Sequence, residues 1–249
     1  MNDRGTDMSE KKVTFRVVEQ FVSINGEGRR AGQLALFIRF AGCNLNCEYC
    51  DTKWANEAEV SYEEYTVEQL YQMIKNSKVK NVTLTGGEPL IQPNMNSLLN
   101  KLREDKELRI EIETNGSVDI YTFLPKVKSS DMQIEAEQDV LSDNVSFTLD
   151  YKTAVSGMEH QMCMKNYVNL RCQDTVKFVV GSVEDLQKAK QIIEKYHLVE
   201  KGCGIYLSPC FGEIEPADMV EFLVENRLND VNVQLQLHKF IWDPEQRGV

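Results

Sequence analysis

Apolar positions along this chain follow two rhythms. Short β-branched runs recur, and stretches with apolar residues three and four apart separate them. Residues 13–24 contain strand-like segments, and "LALFIRF" (34–40) is a second apolar run. Further strands are expected at "NVTLT" (81–85), "LRIEIET" (108–114), "VSFTLDYK" (145–152), "TVKFVV" (175–180), "GIYLSP" (204–209) and "VNVQLQLHKF" (231–240). Between them, Val67, Leu70, Tyr71 and Ile74 fall at helical spacing behind Thr66, with Gln69 placed to close a capping box. Residues 95–104 read as a helix. Ser182 is placed to cap another, and Pro216 to open a last one whose buried stripe is Met219, Phe222 and Leu223. Residues 126–145 are acidic and polar and read as a loop or excursion.

Strand–helix alternation of this kind specifies an α/β fold with a mostly parallel sheet. A full eight-fold barrel takes ~250 residues, and the irregular 126–145 stretch with the N-terminal extension leaves too few. A partial (β/α)6-type barrel with about six parallel strands and reduced helices fits better. One core domain is expected over residues 13–249, behind a polar, flexible segment at 1–12. The unusual residues gather where strands finish: the cysteine loop, "TGGEP", "ETNG", "LDYK", "LSPC" and "QLHK". Ligands of parallel α/β folds collect at that carboxyl edge, so these stretches are expected to converge on one mouth.

Composition narrows the class. The chain has 249 residues, 42% of them hydrophobic and 27% charged, with a formal charge of −11. That balance argues against a protein gripping nucleic acid over a broad face, while leaving room for a local basic pocket. The first twelve residues do not read as a signal peptide. No stretch approaches the ~18 apolar residues that span a bilayer. A cytoplasmic protein with reduced thiols is expected, and clustered cysteines there mean metal or redox chemistry.

Three of the seven cysteines, Cys43, Cys47 and Cys50, sit together in "RFAGCNLNCEYCDT". Three thiolates can hold three irons of a 4Fe–4S cubane, which four would close. The remaining iron would accept a ligand that chelates through amine and carboxylate, as S-adenosylmethionine does. One-electron reduction through the cluster then cleaves the sulfonium bond, and the cofactor carries the difficult radical step. Two plainer readings stay open on spacing alone. One is zinc with a fourth ligand such as His238 or Cys210. The other is a Cys47–Cys50 dithiol pair, which leaves Cys43 without a role. Cys163, Cys172, Cys203 and Cys210 lack paired spacing and read as buried free thiols. His160 and His197 read as solvent-facing helix positions.

The order of these features resembles the radical S-adenosylmethionine superfamily: the triad follows one apolar strand, and "TGGEP" (85–89) ends the next. That resemblance implies that Gly86, Gly87 and Glu88 hold the methionine amino group largely through backbone, where glycine permits close approach. Three more stretches, "SINGEG" (23–28), "CDT" (50–52) and "QLHKFIWDPEQRGV" (236–249), are similar to 7-carboxy-7-deazaguanine synthases. Those enzymes commonly carry Gln where Asn25 stands, and residues 117–148 match nothing in them.

The resemblance implies a lyase that converts 6-carboxy-5,6,7,8-tetrahydropterin to 7-carboxy-7-deazaguanine with loss of ammonia, a step toward queuosine and related deazapurines. Ile24, Asn25, Gly26 and Glu27 would form the substrate loop, and Thr85 would lie beside the substrate. Arg39 suits its carboxylate, being planar and bidentate. Gln236 and His238 fall on one face of the expected last strand and would complete the substrate side. Tyr49, Cys50, Asp51, Asp150, Lys152 and Ser208 would meet S-adenosylmethionine, with Tyr49 against its adenine. Thr52 would offer a hard oxygen to Mg2+. A flavodoxin- or ferredoxin-like electron donor and a homodimer are implied as partners, with no nucleic acid and no membrane. The competing readings are a glycyl-radical-enzyme activase and a non-enzymatic iron–sulfur or zinc binding module.

Overall fold

The computed structural model describes residues 13–125, 143–243 and 246–249. Within them run β1 (Phe15–Ile24), β2 (Leu34–Phe40), β3 (Glu63–Tyr65), β4 (Asn81–Gly86), β5 (Arg109–Thr114), β6 (Val145–Lys152), β7 (Thr175–Val180), β8 (Gly204–Pro209) and β9 (Asn232–Val233). They make one sheet in the order β3-β1-β2-β4-β5-β6-β7-β8-β9. β1 is antiparallel to both its neighbours. Every pairing from β2 through β9 is parallel. The expected six-strand parallel array is therefore present, with a short β9 added and an antiparallel flank of β1 and β3.

The helices are α1 (Val67–Ser77), α2 (Met95–Arg103), α3 (Val183–Lys195), α4 (Pro216–Asn226) and a single turn, α5 (His238–Ile241). Thr66 caps α1 through the full capping box with Gln69. Ser182 accepts from the Asp185 amide to cap α3, and Pro216 opens α4. Between β6 and β7 only short 3-10 turns occur, so the helices are indeed reduced.

Side chains alternate between the two faces of a strand, and here the faces differ in chemistry. One face carries Leu36, Ile38, Phe40, Leu84, Ile112, Leu149, Phe178 and Leu207, all buried. It packs on the helices, where Leu70 and Ile74 of α1 and Leu98, Leu99 and Leu102 of α2 are fully buried. Each such side chain contributes about 1.5–3 kcal/mol by leaving water. The opposite face carries Arg39, Thr85, Glu113, Asp150, Lys177 and Ser208. A sheet that is apolar outward and polar inward has an interior prepared for a polar ligand.

The structure departs from the sequence reading at several places. The strand expected over 231–240 is paired only at Asn232–Val233, and His238 begins α5. Gln236 and His238 therefore do not share a strand face. Of the four outlying cysteines, Cys203 and Cys210 are buried, whereas Cys163 is half-buried and Cys172 exposed. His160 and His197 are exposed, but His160 sits in a 3-10 turn and His197 in a left-handed turn after α3. The expectations for residues 1–12 and 126–142 lie outside the described residues.

Candidate active site

A cavity of about 940 Å3 opens at the carboxyl ends of the parallel strands. Every residue expected to hold the cluster, S-adenosylmethionine, Mg2+ or substrate lines it, except Asn25 and Glu88. Asn25 instead turns inward, where its Oδ1 accepts from Thr83 Oγ1 at 3.0 Å. Thr83 lies two positions before Thr85 on β4, so Asn25 packs one layer below the cavity. Arg30 and Glu111 lie outside the cavity lining too, 3.6 Å apart, and Thr148, which lines the cavity, donates its Oγ1 proton to Glu111 at 2.6 Å.

Glu88 is fully buried, and its carboxylate accepts from the Leu90 amide at 2.8 Å, Thr114 Oγ1 at 2.9 Å and the Asn115 amide at 2.7 Å. Burial pushes its carboxyl up to about 7, against the pull of those hydrogen bonds. Its side chain thus fastens the turn after β4 to the "ETNG" turn after β5. Asn115 continues the chain, since its Nδ2 reaches Asn44 Oδ1 at 3.0 Å and Cys43 Sγ at 3.5 Å.

The two glycines of "TGGEP" are required by the protein itself. A Cβ on Gly86 would overlap the Phe40 backbone, and one on Gly87 would overlap the Gly42 carbonyl and Asn56 Oδ1. The Gly87 amide donates to Phe40 O at 3.1 Å and the Glu88 amide to Gly42 O at 2.9 Å. This close contact clamps the turn onto the start of the cysteine loop. With its amide spent, Gly87 keeps only its carbonyl for a ligand, which is the group an ammonium needs.

Cys43, Cys47 and Cys50 all line the cavity. Burial pushes the Cys43 and Cys47 thiols above their ordinary range, so loading a metal there releases protons. Among the described residues no three His, Cys, Asp or Glu side chains converge closely enough for a single metal ion. The donor set is soft, three-fold and gathered on one loop at the cavity, which suits an iron–sulfur cluster. Two buried acceptors lining the same cavity, Asn56 Oδ1 and Asp150 Oδ1, have no hydrogen-bond partner. Orphaned acceptors of this kind fit a ligand rich in N–H and O–H donors, as the amine and ribose of S-adenosylmethionine are.

The cofactor-side residues form a connected group. Lys152 Nζ lies 2.8 Å from Asp150 Oδ2 and 5.3 Å from the centre of the Tyr49 ring. Burial raises the Tyr49 phenol well above its usual range, so it stays protonated. Thr52 Oγ1 donates to Asp51 Oδ1 at 2.7 Å. The packing around Asp51 opposes its charge, but the Thr52 bond and the cations Lys177, Arg39 and Lys239 outweigh it and hold the carboxyl below its usual range.

On the substrate side, Arg39 is already engaged by Glu19, with Nε 2.6 Å from Oε1. Glu27 is held by Ser208 Oγ at 2.9 Å, Gln234 Nε2 at 3.2 Å and Lys177 Nζ at 3.2 Å. His238 packs against Gly26, and burial holds its imidazole below the ordinary value. The sequence reading missed Lys177, Glu113 and Gln234. The signal for Lys177 is a single charge in the otherwise uncharged strand "TVKFVV", and for Glu113 an acidic position in the alternating "RIEIET". It also missed that Gln246, Arg247, Gly248 and Val249 line the cavity, with the Arg247 guanidinium 4.2 Å from the centre of the Trp54 ring.

An open parallel sheet with a three-cysteine loop and a Gly-Gly turn at its carboxyl edge defines the radical SAM class. The model of the Radical SAM superfamily matches residues 37–137. The chain is 51% identical to a 7-carboxy-7-deazaguanine synthase of Clostridium acetobutylicum, over 95% of this chain and 100% of that protein. It is 34% identical to one of Chlorobaculum tepidum, over 94% and 97% of the two chains. The crystal structure of QueE from Escherichia coli shares the fold with a TM-score of 0.62, at 21% identity over 90% of this chain and 94% of that one. The chain belongs to the 7-carboxy-7-deazaguanine synthase family.

Proposed function

We infer that the protein is a radical S-adenosylmethionine lyase that converts 6-carboxy-5,6,7,8-tetrahydropterin to 7-carboxy-7-deazaguanine and ammonia. The observation that carries this reading is the shared cavity. The cysteine triad and Gly87 open onto the same space as Arg39, Glu27 and His238. Cys43, Cys47 and Cys50 would hold the 4Fe–4S cluster; Gly87, Asn56, Asp150, Lys152, Tyr49 and Ser208 would hold S-adenosylmethionine. Bound there, the two groups supply one-electron radical chemistry. The residues of this chain bind, orient and exclude water. Arg39 offers its terminal nitrogens to the substrate carboxylate, Glu27 accepts from an N–H edge of the ring, and Thr85 packs beside it.

Thr52 would supply one oxygen ligand to Mg2+, a cation suited to hard oxygen donors. Electrons come from an external flavodoxin- or ferredoxin-like donor, and the working form is a homodimer. No helix among the described residues is long and apolar enough to cross a membrane.

The test is anaerobic reconstitution with iron and sulfide, followed by reductant, S-adenosylmethionine and the carboxytetrahydropterin. A product lighter than substrate by one ammonia is expected. Substrate left intact while a partner protein acquires a glycyl radical would establish the activase instead.

A further inference from the structure

Lys177 breaks an apolar strand. Its neighbours Val176 and Phe178 on β7 are fully buried in the outer core, whereas Lys177 lines the cavity. Parallel register sets it beside Asp150 on β6. Its Nζ lies 3.2 Å from Glu27 Oε2 and 3.7 Å from Asp150 Oδ2. An ammonium taken out of water persists only beside compensating charge. Burial works against this one, and Glu27, Asp150 and Glu113 outweigh the burial and keep it protonated.

The bonds on Glu27 set a direction. Its Oε1 accepts from Ser208 on β8 and from Gln234 just after β9, and its Oε2 accepts from Lys177. A carboxylate has about four lone-pair sites, two on each oxygen. Oε1 is therefore filled, and one site on Oε2 is left. Glu27 belongs to a loop, yet three separate elements hold it. Of its three partners only Lys177 carries charge. Without it, Glu27 would face Asp150 and Glu113, with Lys152 already 2.8 Å from Asp150 Oδ2.

We propose that Lys177 is the positioning residue for substrate recognition: it aims the last acceptor site of Glu27 at the N–H edge of the bound ring. The proposal rests on the pterin reading above, since that edge carries the exocyclic amine. It makes Lys177 the source of discrimination between an amine and a carbonyl at that ring position.

The test is calorimetry on full-length, cluster-loaded protein with S-adenosylmethionine and no reductant, so that nothing turns over. The ligands are 6-carboxytetrahydropterin and its 2-oxo analogue, which lacks the amine. Wild type should prefer the pterin about tenfold or more, the scale of one hydrogen bond to a charged group. Lys177→Met should bind the pterin about tenfold more weakly and lose most of that preference, while Lys177→Arg keeps most of it. The double variant Glu27→Gln with Lys177→Met removes both charges together and guards against a folding failure of the single variant. It should bind no more weakly than Glu27→Gln alone. Undiminished preference in Lys177→Met, or a further loss in the double variant, overturns the proposal and leaves the pterin reading standing. A wild type that binds neither ligand sinks the pterin reading and the proposal with it.

Discussion

Arg39 and Glu19 face each other across the β1–β2 pair, with the guanidinium Nε 2.6 Å from the carboxylate Oε1. Both side chains line the cavity. The pairing leaves the two terminal nitrogens of the guanidinium as a flat edge, which is the edge that grips a carboxylate in two parallel bonds. Glu19 thus orients Arg39 instead of consuming it. Arg39→Lys keeps the charge and loses the fork, so KM for the carboxylated substrate should rise about 10- to 100-fold with a smaller change in kcat. Glu19→Gln should give a weaker effect in the same direction. The measurement is steady-state kinetics with the carboxylated pterin and with a decarboxylated analogue. A loss that is equal for both ligands would remove Arg39 from carboxylate recognition.

Gly87→Ala should be far more damaging than a typical glycine replacement. The new methyl would overlap the Gly42 carbonyl and Asn56 Oδ1. Asn56 Oδ1 is a side-chain end without a hydrogen-bond partner and can turn aside, but the Gly42 carbonyl is backbone and is held by the Glu88 amide at 2.9 Å, so it cannot yield cheaply. The turn must then lift away from the cysteine loop. S-adenosylmethionine binding to the cluster-loaded protein, read by its effect on the cluster's spectrum, should weaken by about tenfold or more. Near-normal binding would show that the Gly87–Gly42 contact is not what shapes this part of the site.

Glu88 makes the fold sensitive to pH. Its folded value of about 7 stands above the ordinary 4.5, so the native state binds more protons than the unfolded chain between those values. The stability it contributes is full below about pH 4.5 and falls as pH rises toward 7, by about 1.4 kcal/mol per unit at most. Glu88→Gln removes this slope. It also leaves donors among Leu90, Thr114 and Asn115 unmatched, at a cost of about 1–3 kcal/mol at acidic pH. Chemical unfolding of both proteins from pH 4 to 8 should therefore show the wild-type advantage shrinking as pH rises. An advantage that stays constant across the range would mean that burial does not control this carboxyl.

The parallel strands were legible because their information is local. Runs such as "VSFTLDYK" and "TVKFVV" carry β-branched residues and end at turn signals, and β6 and β7 occupy those same residues. The capping residues Thr66 and Ser182 are equally local. The stretch 231–240 was misread because alternation alone cannot supply a partner strand. After Val233 the Gln234 side chain turns to the Gly28 amide at 2.8 Å and to Glu27, and the Leu237 amide bonds Gly26 O at 3.1 Å. Those contacts join positions about two hundred apart in sequence, which no window on the chain contains. The site was legible where motifs carry it, as at the triad and "TGGEP". Asn25 enters the substrate loop by resemblance alone; its Oδ1 accepts from Thr83 while its buried Nδ2 has no hydrogen-bond partner. Lys177 shows the opposite case: it is the one charge in "TVKFVV", and such a charge must face either a partner or a ligand, whereas Glu113 is masked by the alternating charges of "RIEIET".

Thr52 is the remaining residue whose role can be separated from its neighbours. Its hydroxyl proton is committed to Asp51 Oδ1 at 2.7 Å, which leaves the oxygen lone pairs for a cation, and the side chain lines the cavity. Mg2+ binds hard oxygens and keeps several waters, so on the proposed reading one protein ligand would suffice. Thr52→Ala should raise the Mg2+ concentration needed for half-maximal turnover by about tenfold. Thr52→Ser retains the oxygen and should behave like wild type. Titration of chelator-treated enzyme with Mg2+ at saturating S-adenosylmethionine makes the comparison. If Thr52→Ala and wild type share one titration curve, the cation is held by other groups, and the hydroxyl serves only to anchor Asp51.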